Sequence, residues 1–369
     1  MTQADTIVAQ APVLRTVNDA MALEQIDIAP PKPNEVRVRM VASGVCHSCL
    51  HVADGTHSGL PLPIVLGDEG AGVVEAVGAN CTRVQVGDPV ILSWATSCGW
   101  CRFCASGRPA LCINGAPAGY LTDGTTRMTA GGAPVHHLGP ATYAPYAVVH
   151  ESAAIKIDPR MPLDRAALVG CAVATGVGAV VNTARARMGD SVAVFGCGGV
   201  GLNAIQGGVI VGADPVVGVD VLAGRRRFAT ELGATAVVDA SADDALDQLR
   251  DLSEGGFDVT VVAVGSTAAL EQAWAATGRG GICVLVGKPP DGRRIDFDPQ
   301  SLLAGERRLS GSTYGSTRPS VDFPNLVSLY LGGRLKLDEL ITRRYRPDEA
   351  NEAFDALRDG EQARGLIVF

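Results

Sequence analysis

Two styles of hydrophobic patterning divide the chain. Up to about residue 160, short apolar–polar alternations are separated by turn-forming residues, as in Glu35–Val41 after the proline-rich Pro30–Asn34. Gly70–Gly78 and Asp88–Leu92 have the same character. A period of two marks half-buried strands, so this part is predicted to be a loop-rich, mostly β region. From about residue 165 to 305 the pattern changes to Val-rich runs at Ser191–Phe195, Pro215–Val219, Ala236–Val238, Asp258–Val264 and Ile282–Val286, separated by helical spacings. Unbroken apolar strands are buried on both faces, which predicts a doubly wound parallel sheet covered by helices. Asn325–Leu331 and Asp348–Leu357 read as helices and Gly365–Phe369 as a closing strand. The division expected is therefore 1–165, 166–304 and a return segment 305–369 that completes the first domain.

Composition narrows the class. The chain has 369 residues, enough for two cores, and a hydrophobic fraction of 47% with 19% charged residues argues for a globular protein. A net charge of −8 disfavours nucleic acid and anionic membrane as partners. The segment Ala166–Val181 is nearly apolar but interrupted by glycines, and is expected to be a buried linker and helix rather than a membrane span. No basic and then apolar leader pattern opens the sequence, so a cytoplasmic location is expected and the ten cysteines point to metal or catalysis rather than disulfides.

The strand at Ser191–Phe195 runs into Gly196-Cys197-Gly198-Gly199-Val200-Gly201 and then a helical Leu202–Val211. Glycines at this spacing permit a tight turn and close approach of backbone N–H groups to a pyrophosphate at a helix N-terminus. Asp220 ends the next strand, about twenty residues on, where a carboxylate accepts hydrogen bonds from the adenosine ribose. It would repel a 2′-phosphate, so NAD is expected over NADP. Arg225, Arg226 and Arg227 are the counter-signal, read here as a solvated helix face.

Cys98, Cys101, Cys104 and Cys112 place four thiolates in the loop 95–113. Four sulfurs at this spacing can close a tetrahedron around zinc and leave no position for substrate, so the site is read as structural. An iron–sulfur cluster is the alternative for four cysteines, disfavoured by the nucleotide fingerprint downstream.

These cysteines, the G-x-G-x-x-G, Gly44-Val45-Cys46-His47-Ser48 and Gly67-Asp68-Glu69-Gly70-Ala71-Gly72 together resemble the zinc-containing medium-chain alcohol dehydrogenases across essentially the whole chain. The branch with class III enzymes and bacterial thiol-linked formaldehyde dehydrogenases looks nearest. Cys171-Ala172-Val173-Ala174-Thr175-Gly176, Leu340-Ile341-Thr342 and Arg364 match further segments of the pattern. The resemblance implies a GroES-like catalytic domain with a Rossmann domain, two zinc ions, NAD and a homodimer. It implies Cys46 and Cys171 as ligands of a catalytic zinc, with Ser48 and His51 as a proton relay and Glu69 as a further catalytic residue. His47, Thr175, Arg225 and Arg364 would join the glycines and Asp220 at the cofactor, and Trp94 would wall the substrate pocket.

The pattern breaks at two positions. The family's second zinc ligand is a histidine, and here it is Asp68; the aspartate three residues after the first cysteine is here Cys49. Three arrangements stay open: Asp68 as the third ligand, Cys49 in its place, or no catalytic metal. Two thiolates and a carboxylate carry one more negative charge than two thiolates and an imidazole, so zinc there should acidify an alcohol less.

Thiol-adduct enzymes of the family carry an arginine where this chain has Ala116, and Cys112–Gly119 offers no basic side chain. Small uncharged alcohols or aldehydes are thus the expected substrates, aromatic or allylic ones suggested by Trp94. The competing readings are a zinc-weak or zinc-independent NAD(P)H reductase of activated C=C or C=O bonds, and a non-catalytic cofactor-binding scaffold.

Overall fold

A computed structural model describes residues 5–290, 292–296, 298–360 and 362–369. It divides into two compact units: Met1–Cys171 with Arg318–Gly333 and Ile341–Phe369, and Ala172–Thr317 with Arg334–Leu340.

The first unit is β-rich. Ile7–Leu14, Ala22–Ile28, Met128–Ala130, Ala133–His137 and Ile64–Val65 close a barrel. A second sheet runs in the order Ala154–Lys156, Pro89–Leu92, Gly70–Val77, Glu35–Gly44, Arg364–Val368 and Ile341–Tyr345, with Tyr146–His150 also paired to Glu35–Gly44. The last strand aligns Leu366 with Gly44 and Val368 with Ala42, so the C-terminal segment extends a sheet begun by the first hundred residues. Alternation along Glu35–Gly44 buries Val36, Val38 and Met40 against Val74, Val90 and Leu92.

The second unit holds a six-stranded parallel sheet. Its order is Ala236–Asp239, Val216–Asp220, Val192–Phe195, Phe257–Val262, Thr277–Leu285, Arg308–Gly311, which is the doubly wound Rossmann arrangement. Ala193, Phe195, Val217 and Val219 pack on Ala245, Leu249, Leu270 and Ala273. The opposite face, at Gly218, meets Ile205 and Ala229 from the helices Gly199–Val211 and Ala223–Glu231. Helices cover both faces, as the unbroken apolar runs required. Because Arg308–Gly311 is the sixth strand, residues 305–317 stay with this unit, and the return begins at Arg318 instead of 305.

The apolar stretch expected to be a buried linker and helix is helical throughout Leu163–Ala184, long and apolar enough to cross a membrane but 83% buried inside the fold over its most apolar window. Its glycines are sites of close approach: a Cβ on Gly176 would stand 2.2 Å from the Val200 carbonyl oxygen. The helix widens into a π-turn over Val169–Val173, the segment that carries Cys171.

Candidate functional site

The register of two antiparallel strands builds the first cluster. Ser43 pairs with Gly70, so the chain leaving Glu35–Gly44 and the chain entering Gly70–Val77 lie side by side at one sheet end. Cys46 sits just past the first and Asp68 just before the second. Cys171 arrives from the π-turn, where Gly170 packs so closely that a Cβ would lie 2.8 Å from the Leu92 carbonyl oxygen and 3.3 Å from the Gly70 nitrogen. The ligand atoms of Cys46, Asp68 and Cys171 lie within 4.8 Å of one another, and the three residues are 5%, 5% and 7% exposed.

Zinc–sulfur bonds of about 2.3 Å and zinc–oxygen bonds of about 2.0–2.2 Å fit donors at such spacing, and three protein ligands leave a fourth position open, as a catalytic site requires. The fully buried Cys49 stands behind the carboxylate: its sulfur is 3.5 Å from Asp68 Oδ1, while Asp68 Oδ2 lies 3.6 Å from Cys171 Sγ. Of the Cys46 and Cys171 sulfurs, Cys46 is the more acidic. The Cys171 thiol hydrogen-bonds to it and holds its pKa below the ordinary thiol value, aided by Arg364 and Ser48 and opposed by burial. Burial, and after it the Asp68 charge, pushes the Cys49 thiol well up.

Ser48 and His51 lie on the helix His47–Ala53 that starts at Cys46. The Ser48 hydroxyl is 3.5 Å from the Cys46 sulfur. His47 and Ser48 are exposed and His51 half-buried, the two histidine rings 6.1 Å apart. Trp94 is half-buried against the same apolar core as Cys46 and Cys171. Glu69 and Arg364 are buried and ion-paired with each other.

In the second cluster, Cys98, Cys101, Cys104 and Cys112 bring their sulfurs within 4.8 Å of one another. Backbone N–H groups of Cys98, Cys101 and Cys104 donate to the sulfurs of Cys112, Cys98 and Cys101 at 3.3, 3.3 and 3.5 Å. The N–H groups of Cys104 and Ile113 hold the Cys101 thiol at about 6. Donors aimed at sulfur stabilise thiolates, and four thiolates without a free position suit a closed structural zinc.

The glycine-rich turn lies in the second unit. Gly196 has φ of +91°, a conformation open to glycine, and a Cβ on Gly201 would stand 1.8 Å from the Gly196 carbonyl oxygen. At Gly198, the N-cap of Gly199–Val211, a Cβ would meet nothing within 4 Å. The helix N-terminus thus presents its unpaired N–H groups and those of Val200 to open space, as a pyrophosphate needs. Thr175 is buried in the helix Ala174–Gly178 that packs on this one.

Asp220 accepts from the N–H of Cys197 at 2.7 Å and of Leu222 at 2.9 Å. The three arginines are not a solvated face. Arg225 lies 3.9 Å from the Asp220 carboxylate, and Arg226 bonds the Asp220 carbonyl and pairs with Asp239; only Arg227 is well exposed. Acidic strand ends draw the first two inward. Sequence patterns missed Tyr143, whose buried hydroxyl lies beside Cys49, since nothing local links the two.

A Rossmann unit with a glycine cradle and a β-rich unit with two thiolate-rich clusters define a metal-using, dinucleotide-dependent oxidoreductase. The comparisons agree. The family model for the alcohol dehydrogenase GroES-like domain matches residues 32–159 and that for zinc-binding dehydrogenase matches 199–331. An alcohol dehydrogenase zinc-binding domain protein from Burkholderia ambifaria is 36% identical, with 99% of this chain and 100% of that one covered at a TM-score of 0.95. A benzyl alcohol dehydrogenase from Acinetobacter calcoaceticus is 32% identical over 98% and 99%, TM-score 0.93. A zinc-binding dehydrogenase from Sinorhizobium meliloti, solved with NADP, is 26% identical over 98% and 100%, TM-score 0.80. The chain belongs to the zinc-dependent medium-chain alcohol dehydrogenase family.

Proposed function

We propose that the protein interconverts uncharged primary alcohols and aldehydes with NAD, at a zinc ion held by Cys46, Asp68 and Cys171, with a second, structural zinc on Cys98, Cys101, Cys104 and Cys112. The observation that carries this reading is the convergence of three buried donors beside the Ser48 hydroxyl. Zinc bound there would supply a Lewis acid that lowers the pKa of an alcohol, and a bound nicotinamide would supply the hydride acceptor.

The chain's own residues do the rest. Ser48 receives the hydroxyl proton, and His51, further along the same helix, passes it to solvent. The Asp220 carboxylate, with lone pairs left after its two backbone bonds, accepts from the ribose hydroxyls. The Gly199–Val211 N-terminus holds the pyrophosphate. Trp94 gives the alcohol an apolar wall, and Ala116 leaves a charged thiol adduct without a basic anchor, which sets this chain apart from the thiol-linked branch. The resemblance to a benzyl alcohol dehydrogenase supports an aromatic alcohol as first choice.

The test is a zinc count by mass spectrometry with NADH formation followed across aliphatic, allylic and benzylic alcohols. Two zinc ions per chain and turnover of a benzylic or allylic alcohol are expected. One zinc per chain in fully folded protein, or no turnover of any alcohol or aldehyde, would overturn the proposal.

A further inference from the structure

Asp68 is an ambiguous ligand. A carboxylate can bind zinc through one oxygen or through both, and a second oxygen would occupy the position that substrate needs. What the two oxygens face in this fold is unequal. Oδ2 lies 3.6 Å from Cys171 Sγ, on the side of the sulfur pair, whereas Oδ1 turns back to the Cys49 sulfur at 3.5 Å. Cys49 is fully buried in the helix that begins at Cys46, and the cluster of three metal-competent residues does not include it. The backbone N–H of Gly67 and the hydroxyl of Tyr143 also lie near the Cys49 sulfur. That hydroxyl is buried and within hydrogen-bond range of no partner. The hydrogen bond the Cys49 thiol makes is the one it donates to Asp68 Oδ1.

We infer that Cys49 is a positioning residue: its S–H, donated to Asp68 Oδ1, holds that oxygen away from the metal so that the carboxylate binds through Oδ2 alone and the fourth coordination position stays open. Outer partners of this kind orient ligands, and their loss typically costs about 10–100-fold in metal affinity. The inference rests on Asp68 being a zinc ligand, so its test separates the two.

The experiment uses the zinc protein and its cobalt-substituted form, comparing wild type with Cys49→Ala, Cys49→Ser and Asp68→Ala. Asp68→Ala should lose one zinc per chain. Cys49→Ala should keep both but release the catalytic one to a chelator about 10–100-fold faster. Its cobalt d–d bands should weaken from the four-coordinate to the five-coordinate pattern as Oδ1 swings in. Cys49→Ser, which keeps an O–H donor, should return both readouts towards wild type. A merely structural role for Cys49 would move neither the cobalt bands nor the chelation rate in the serine-dependent way. If Asp68→Ala retains two zinc ions and its cobalt spectrum, the ligand reading fails and this inference with it. If Asp68→Ala loses zinc while Cys49→Ala matches wild type, only this inference falls. Loss of sulfur-to-cobalt charge-transfer intensity in Cys49→Ala would make Cys49 a ligand and overturn it too. Should the alanine variant not fold, Cys49→Val fills the site without a donor and carries the same comparison.

Discussion

Glu69 and Arg364, from opposite ends of the chain, form a buried ion pair beside the Cys46 cluster. Arg364 opens the strand that aligns with Glu35–Gly44, and Glu69 precedes the strand on the other side of it. Two opposite charges out of water stabilise each other, and removing one strands its partner. The guanidinium also favours the Cys46 thiolate.

Arg364→Met should therefore destabilise the fold by about 3–5 kcal/mol, the usual cost of an uncompensated buried charge. Thermal unfolding of the variant checks it. A Tm within a degree of wild type would show that Glu69 is neutral or otherwise balanced.

Asp220 spends its two oxygens on the Cys197 and Leu222 amides and stands near Arg225. Asp220→Ala should lower kcat/KM for NAD by about 10–100-fold, since hydrogen bonds to a charged group are worth about 1.5–3 kcal/mol. NADPH should gain relative to NADH, because Arg225 would face a 2′-phosphate unopposed. A wild-type protein that already prefers NADPH would contradict the assignment.

Cys101→Ser removes one sulfur of the four-thiolate loop and the acceptor of the Cys104 N–H. It should drop the zinc count by one and lower Tm, while leaving any surviving folded protein able to bind NADH. Unchanged stability with selectively lost turnover would reverse the structural assignment of this loop.

His137 sits in the barrel with Nδ1 2.8 Å from the Gly139 carbonyl oxygen, and burial holds its pKa at about 4 against an ordinary 6.5. Folded protein keeps the ring neutral while the unfolded chain takes up a proton below 6.5. Stability from this residue is complete above pH 6.5 and is lost as pH falls towards 4, by about 3 kcal/mol for a shift of this size. His137→Gln should flatten the pH dependence of Tm across that window; an unchanged slope would assign it to other groups.

Much of the fold was legible from local pattern. Val-rich runs at Ser191–Phe195 and Pro215–Val219 are buried on both faces wherever they pair, so their composition alone announces a parallel sheet. The glycines at 196–201 and the four cysteines at 98–112 act within one turn or one loop, where spacing along the chain is spacing in space. Other features depend on register between distant segments. Ser43 pairing with Gly70 sets Cys46 beside Asp68, and the π-turn at Val169–Val173 brings Cys171 to them. Which of Asp68 and Cys49 faces those sulfurs, and that Tyr143 stands behind Cys49, could be decided only by the packed sheet and helix. The inward turn of Arg225 and Arg226 likewise needed the acidic ends of two neighbouring strands in place. Side chains choose partners by distance, and for residues far apart in sequence that distance exists only after the strands have paired.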